Sequence, residues 1–284
     1  MRIAAVFAHP ADMATEAGGT LALHTQQGDE VFVIILTHGG RLHPNIYIEE
    51  GRKDAAERDD SIANADREKV LAIKYQELEA SARILGITKV ICLGADDTMS
   101  TVDNVLIDQT AEHLSNWRPE LLVTHHPGYA SGIGSDHCLA GQIALAASFR
   151  ISKQFANLDG KEPCFIRQTY FIGNGISSRS SIDPGGGAFN DLYIDITPVV
   201  AKKIHAMDCF VSQGYNGDYA RKCVSGHNGH WGSLAGVTFA EPFIRNNAET
   251  HQRLPLSDLN KTRDEVSMHR GYSQNANVWG IPQE

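Results

Sequence analysis

The 284 residues carry a formal charge of −9, with 42% hydrophobic and 21% charged residues, the balance of a globular protein with a sizeable core. That charge argues against a nucleic-acid or anionic-membrane surface, yet leaves room for a small anionic substrate, because a metal and a few arginines dominate a site locally. Five scattered cysteines without a CxxC pair favour reduced thiols, and with no leader and no apolar run of spanning length the expected location is the cytoplasm.

In chain order, the apolar run from Ile3 to Phe7 predicts a buried parallel strand, followed by Ala8-His9-Pro10-Ala11-Asp12. A helix is expected over Met13 to His24, entered through the turn at Gly18-Gly19. His9 and Asp12 therefore lie at the carboxyl end of a strand, where open α/β sheets bind ligands. Three residues apart, they can share one divalent metal, or merely cap the helix; the spacing alone does not choose. Val31 to Leu36 predicts a second buried strand, ending at Thr37-His38-Gly39-Gly40-Arg41.

The polar stretch Leu42 to Asp66 has helix signals but little apolar periodicity, and reads as an insertion near the site, either a lid or a plain surface excursion. His38, His43, Glu49 and Glu50 would titrate usefully if it folds over the strand ends. Arg67 to Leu85 forms an amphipathic helix closed by Gly86. The strand Val90–Leu93 leads to Asp96-Asp97, better suited to a cap or turn than to a metal. A helix follows over Val105 to Trp117.

Leu121 to Thr124 is a further strand and delivers His125 and His126, of which His126 is the preferred substrate contact, with structural histidines as the alternative. A helix is expected over Ile143 to Phe149 and a strand over Thr169 to Ile172. The glycine-rich loop at 176–188 lacks the context of a phosphate cradle. Tyr193 to Thr197 is a short strand, with Thr197 capping a helix from Pro198. Lys202, Lys203 and Arg221 read as solvated helix charges. Beyond Phe243 the chain turns polar, a tail expected to pack on a neighbouring subunit or on its own domain.

Two separated fragments carry a resemblance. His9-Pro10-Ala11-Asp12 with Gly18-Gly19-Thr20-Leu21-Ala22, and Gly132-Ile133-Gly134-Ser135-Asp136-His137, resemble motifs of the PIG-L/LmbE superfamily. Ala82-Arg83-Ile84-Leu85-Gly86, Val90 to Gly94 with Asp96, and Phe239-Ala240-Glu241-Pro242-Phe243 agree in the expected order. The resemblance covers residues 1–245 and leaves 246–284 as a polar extension. It implies a Rossmann-like, doubly wound α/β fold with a mostly parallel sheet, and a homo-oligomer. It also implies a zinc site whose ligands are His9, Asp12 and His137, three ligands being the catalytic arrangement of zinc. Asp136 would orient a ligand or carry a proton.

The departures matter equally. Family deacetylases keep their general base at the position of Ala11, and a methyl group takes no proton; the later motif usually has His where Gly134 stands. A branch with different chemistry, a decayed ligand-binding relative, or an engineered Asp-to-Ala deacetylase would each account for this. The 4-oxalomesaconate hydratase branch shares both departures, which implies zinc-dependent hydration of an unsaturated keto-di- or tricarboxylate. For that chemistry His43, Glu49, His126 and Asp136 are candidate acid/base residues. Arg41 is the candidate for the substrate carboxylate, with a surface ion pair as the alternative. Where the family continues from this arginine with Gly-Glu, the chain has Leu42-His43.

Overall fold

The computed structural model describes residues 1–41, 43, 45–128, 134–153, 160, 162–172, 190–265 and 278–282. The apolar runs become strands because both of their faces are covered: β1 (Arg2–Phe7) is buried from Ile3 onward, and β2 (Glu30–Thr37) buries Val33 to Thr37 without interruption. They are joined by β3 (Lys89–Ala95), β4 (Leu121–Thr124), β5 (Gln168–Ile172), β6 (Leu192–Asp195) and β7 (Ala240–Arg245) in a seven-stranded sheet of order β3-β2-β1-β4-β5-β7-β6. The first five strands pair in parallel, while β7 runs antiparallel to both β5 and β6. The fold is α/β, doubly wound and mostly parallel.

Each face of the sheet has its own core. Phe7, Met13, Leu21, Leu78, Ile204 and Phe243 pack on one side. Val6, Ile34, Leu36, Leu114 and Ile143 pack on the other. The chain leaves β1 in one direction toward β2, and β4 joins β1 on the opposite side. The connections part at that point and open a crevice over the carboxyl ends of β1 and β4.

The helix expected from Met13 is two pieces, α1 (Asp12–Thr15) and α2 (Gly18–Gln26). The polar insertion contains α3 (Asn45–Arg52) and α4 (Asp60–Ala63), and Asn45 fastens it by donating to the Gln213 carbonyl at 3.0 Å. The long helix α5 (Arg67–Leu85) ends on Gly86, as its pattern requires, and α6 (Asn104–Trp117) follows β3.

The helix α7 (Asp136–Arg150) starts at Asp136 and not at Ile143, because the Ser135 hydroxyl accepts the Cys138 N–H at 3.2 Å and caps it. It crosses tightly over the end of β4. A Cβ on Gly141 would come within 2.3 Å of the His125 carbonyl oxygen, so glycine alone admits this approach.

Two expectations fail. Lys203 and Arg221 are not solvated: they are 1% and 3% exposed, because each meets a carboxylate from elsewhere in the chain, Glu241 at 2.6 Å and Asp208 at 2.7 Å. Thr197 does not cap its helix; its own N–H donates to Asp195, and its hydroxyl accepts the Phe239 N–H. The tail returns to its own body, where Val278 joins the main core and Arg221 donates to the carbonyls of Ile281 and Pro282. Among the described residues no helix is long and apolar enough to cross a membrane. The loop read at 176–188, and Leu42, Gly132 and Ile133 among the motif residues, lie outside the described residues.

Candidate metal centre and cleft

The first turn after β1 and the first turn of α7 bring His9, Asp12 and His137 together, with one ligand atom from each within 4.8 Å of the others. His9 Nδ1 lies 3.2 Å from His137 Nε2, and Asp12 Oδ2 lies 3.4 Å from both nitrogens. The loop holds its own geometry, since the His9 N–H donates to Asp12 Oδ2 at 2.8 Å. On the far side of the His9 ring, Nε2 is 3.1 Å from Asp136 Oδ2. An imidazole with one nitrogen in a donor cluster and the other on a carboxylate is the usual arrangement of a metal-bound histidine. Asp136 is therefore placed to orient His9.

Electrostatics favour positive charge here. Burial would push the His9 imidazole down, but the Asp12 and Asp136 carboxylates outweigh it and raise His9 to about 9. Burial would raise Asp12, yet the imidazoles of His137 and His9 hold it well below the usual carboxylate range. A divalent cation would meet the same demand, and two imidazoles with one carboxylate form a donor set that suits zinc. His125, pushed down to about 4 by burial and by His137, stacks on the His137 ring at 4.3 Å and supports it as a neutral group.

The turn that carries Asp12 is anchored from below. Glu241, fully buried, accepts the N–H groups of Gly19 and Thr20 at the start of α2, and the Lys203 ammonium bridges it to the Thr15 carbonyl at 2.7 Å. A cleft of about 250 Å³ opens beside the cluster, below the roughly 300–1,000 Å³ of drug-sized sites, which suits a small metabolite. Asp12, His137, His43, Thr15 and Glu16 form one part of its lining, and Gln213, Tyr215, Tyr219, His227 and Trp231 another.

The sequence candidates distribute unevenly around this cleft. His43 lines it, with its ring 4.1 Å from that of His9 and its Nδ1 3.3 Å from Asp97. Glu49 is exposed on α3 and takes no part in the lining. His126 turns the other way, against the ring of Phe171 at 5.1 Å, and it is His125 that reaches the cluster. Arg41 is exposed and donates to Asp96 at 2.6 Å, the ion pair that was its alternative reading.

His38, Asp96 and Asp97 form a second group of possible ligands. Their carboxylates already accept from the protein. Asp97, fully buried, takes the Arg41 N–H at 2.9 Å, while Asp96 takes the Arg41 guanidinium, so the group ties the loop after β2 to the loop after β3.

Glu16 went unnoticed in the sequence. It sits one helical turn beyond Asp12, a spacing that places both on one side. Its carboxyl makes no hydrogen bond among the described residues, and burial raises its pKa, with the His137 charge opposing. His227 also escaped notice. It lies on a π-helical turn, Val224–Asn228, which no local pattern announces.

Two imidazoles and a carboxylate gathered over the carboxyl ends of neighbouring parallel strands define an α/β protein with a candidate metal centre beside a small cleft. Residues 4–148 match the family model of PIG-L, GlcNAc-PI de-N-acetylase, and the chain belongs to that family. A 4-oxalmesaconate hydratase of Pseudomonas putida is 26% identical over 214 residues, covering 75% of this chain and 74% of the relative. A probable N-acetyl-alpha-D-glucosaminyl L-malate deacetylase 2 of Bacillus cereus is 28% identical over 154 residues, covering 52% of this chain but only 61% of the relative. The crystal structure of GalB, the 4-carboxy-2-hydroxymuconate hydratase of Pseudomonas putida, superposes with a TM-score of 0.69 at 23% identity, covering 90% of this chain and all of that one. The relatives are enzymes of two kinds, hydratases and deacetylases.

Proposed function

We propose that the protein is a zinc-dependent hydratase acting on a small unsaturated keto-acid resembling 4-oxalomesaconate. One observation carries this reading: His9, Asp12 and His137, which could hold a metal ion, stand together, while the position at which the family resemblance expects a deacetylase base is the methyl of Ala11, 2% exposed and packed in the main core. His9, Asp12 and His137 would hold the zinc, which supplies polarisation of a substrate oxygen.

The proton transfers fall to the chain. Glu16, whose carboxyl is not held by a neighbour, takes a proton from the adding water, and His43, steadied by Asp97, returns one to the α-carbon. Asp136 keeps the His9 ring in place. The P. putida hydratase relative supports a small anionic substrate, and the size of the cleft agrees with one. The leucines Leu254, Leu256 and Leu259, exposed beyond β7, support self-association, which sedimentation velocity tests; a monomer at micromolar concentration contradicts it.

The B. cereus relative favours a second reading, amide hydrolysis by a protein that lacks the family's base. Both are tested by following the loss of conjugated keto-acid absorbance with zinc-loaded and zinc-stripped protein, beside an assay on acetylated amino sugars. The hydratase reading expects zinc-dependent loss of absorbance. Its absence across a panel of unsaturated di- and tricarboxylates overturns the reading.

A further inference from the structure

The cleft presents a problem for an anionic substrate: no lysine or arginine is among the described residues that line it. Asp12 and Glu16 make that part of the wall acidic. A metal can meet one end of a dicarboxylate, but the other end needs donors from the protein.

Behind the opposite wall lies a buried positive charge outside the metal cluster. Lys74, 1% exposed, projects from α5 beneath the 3-10 turn Val211–Gln213. Its ammonium donates to Gln213 Oε1 and lies 5.7 Å from the ring centre of Phe210. One turn along the same helix, Glu77 accepts the Ser212 N–H and the Ser212 hydroxyl, each at 2.7 Å. The Gln213 carbonyl is held by Asn45, and Gly214, at φ 68°, closes the turn. A buried lysine and glutamate are thus spent on fixing three residues at the cleft wall. Buried charges are costly unless they are well satisfied, which makes this clamp a strong constraint.

The clamp dictates which way the Gln213 carboxamide points. An ammonium has donors and no acceptor, so the amide atom facing Lys74 is the carbonyl oxygen. The NH₂ group must then diverge from Lys74. Gln213 lines the cleft; within the described residues its side chain bonds through Oε1, and its Nε2 makes no hydrogen bond. We propose that Gln213 is a substrate-binding residue, whose NH₂ group, held outward by Lys74, donates to a carboxylate or carbonyl oxygen of the substrate. Lys74 is a positioning residue: it orients the amide and polarises it without touching the substrate.

The inference rests on the cleft being the substrate site of the function proposed above. Its test uses binding, so the two can fail separately. The probe is 2-oxoglutarate, a keto-dicarboxylate without a carbon–carbon double bond, titrated calorimetrically into the zinc-loaded protein. Wild type should bind it saturably. Gln213→Leu should bind about 10- to 100-fold more weakly, the loss of one hydrogen bond to a charged group.

Gln213→Glu is the sharper variant. Its carboxylate still satisfies Lys74, so the melting temperature should hold, yet it offers the cleft an acceptor, and binding should be lost. Lys74→Met should weaken binding, and the double variant with Gln213→Leu should be no weaker than Gln213→Leu alone, because both act through one amide. Should Lys74→Met fail to fold, Gln213→Glu still decides. Wild-type affinity in Gln213→Glu, additive losses in the double variant, or no saturable binding to wild type would each overturn the inference. Binding by wild type without turnover of any unsaturated acid would overturn the hydratase reading and leave Gln213 in place.

Discussion

At position 11, where the family resemblance expects a deacetylase's carboxylate, the chain has the methyl of Ala11, buried in a packed core. Loss of a positioned general base costs on the order of 10²–10⁴-fold. We therefore expect deacetylation of acetylated amino sugars to be very slow, and Ala11→Asp not to restore it, because the rest of the site departs as well. Gly134, where the family usually has histidine, sits at φ 78°, a backbone state that most side chains resist. A gain of more than about a hundredfold in an amide-hydrolysis assay of Ala11→Asp would show a disabled deacetylase instead. His137 gives the test of the centre. His137→Ala removes one of three donors and should not retain stoichiometric zinc by elemental analysis.

The elements around the cleft are held by buried charges, and those charges are measurable. Lys203→Met leaves Glu241 fully buried with the two N–H groups of α2 but no cation, and should lower the unfolding free energy by about 3–5 kcal/mol in urea titrations. An effect below about 1 kcal/mol would mean that the clamp does not hold the Asp12 turn.

Lys74 adds a pH signature. Burial pushes it down to about 8 from 10.5, against the pull of Glu77, Asp97 and Asp12. Between those two values the unfolded chain binds the proton that the folded chain has released. Stability attributable to this residue therefore rises with pH across that window, by up to about 3 kcal/mol. Wild-type stability, measured relative to Lys74→Met from pH 7 to 10, should rise with pH; a difference independent of pH would contradict the shift.

For the whole molecule, metal and fold should be linked. A ligand that binds only the folded state stabilises it by roughly 2.7 kcal/mol at a free concentration one hundred times its dissociation constant. Zinc-loaded protein should melt above chelator-treated protein, and His137→Ala should show no such difference. Equal melting of the loaded and stripped wild type would mean that the three donors hold no metal.

Some of this was legible along the chain, for a local reason. A run such as Val31–Leu36 with no polar alternation must be covered on both faces, which a parallel α/β sheet does, and the ends of such strands are where His9 and Asp12 had to fall. The departure at position 11 could likewise be read from the motif alone. What the chain did not show was pairing across distance. Lys203 and Arg221 look solvated until Glu241 and Asp208 are brought to them, and Arg41 looks available until Asp96 takes it. Of the adjacent His125 and His126, successive side chains leave a strand end in opposite directions, and only the docking of α7 made the first of them part of the centre. Glu16, Gln213 and His227 share a cleft because three distant segments pack around it, and no spacing within one segment encodes that.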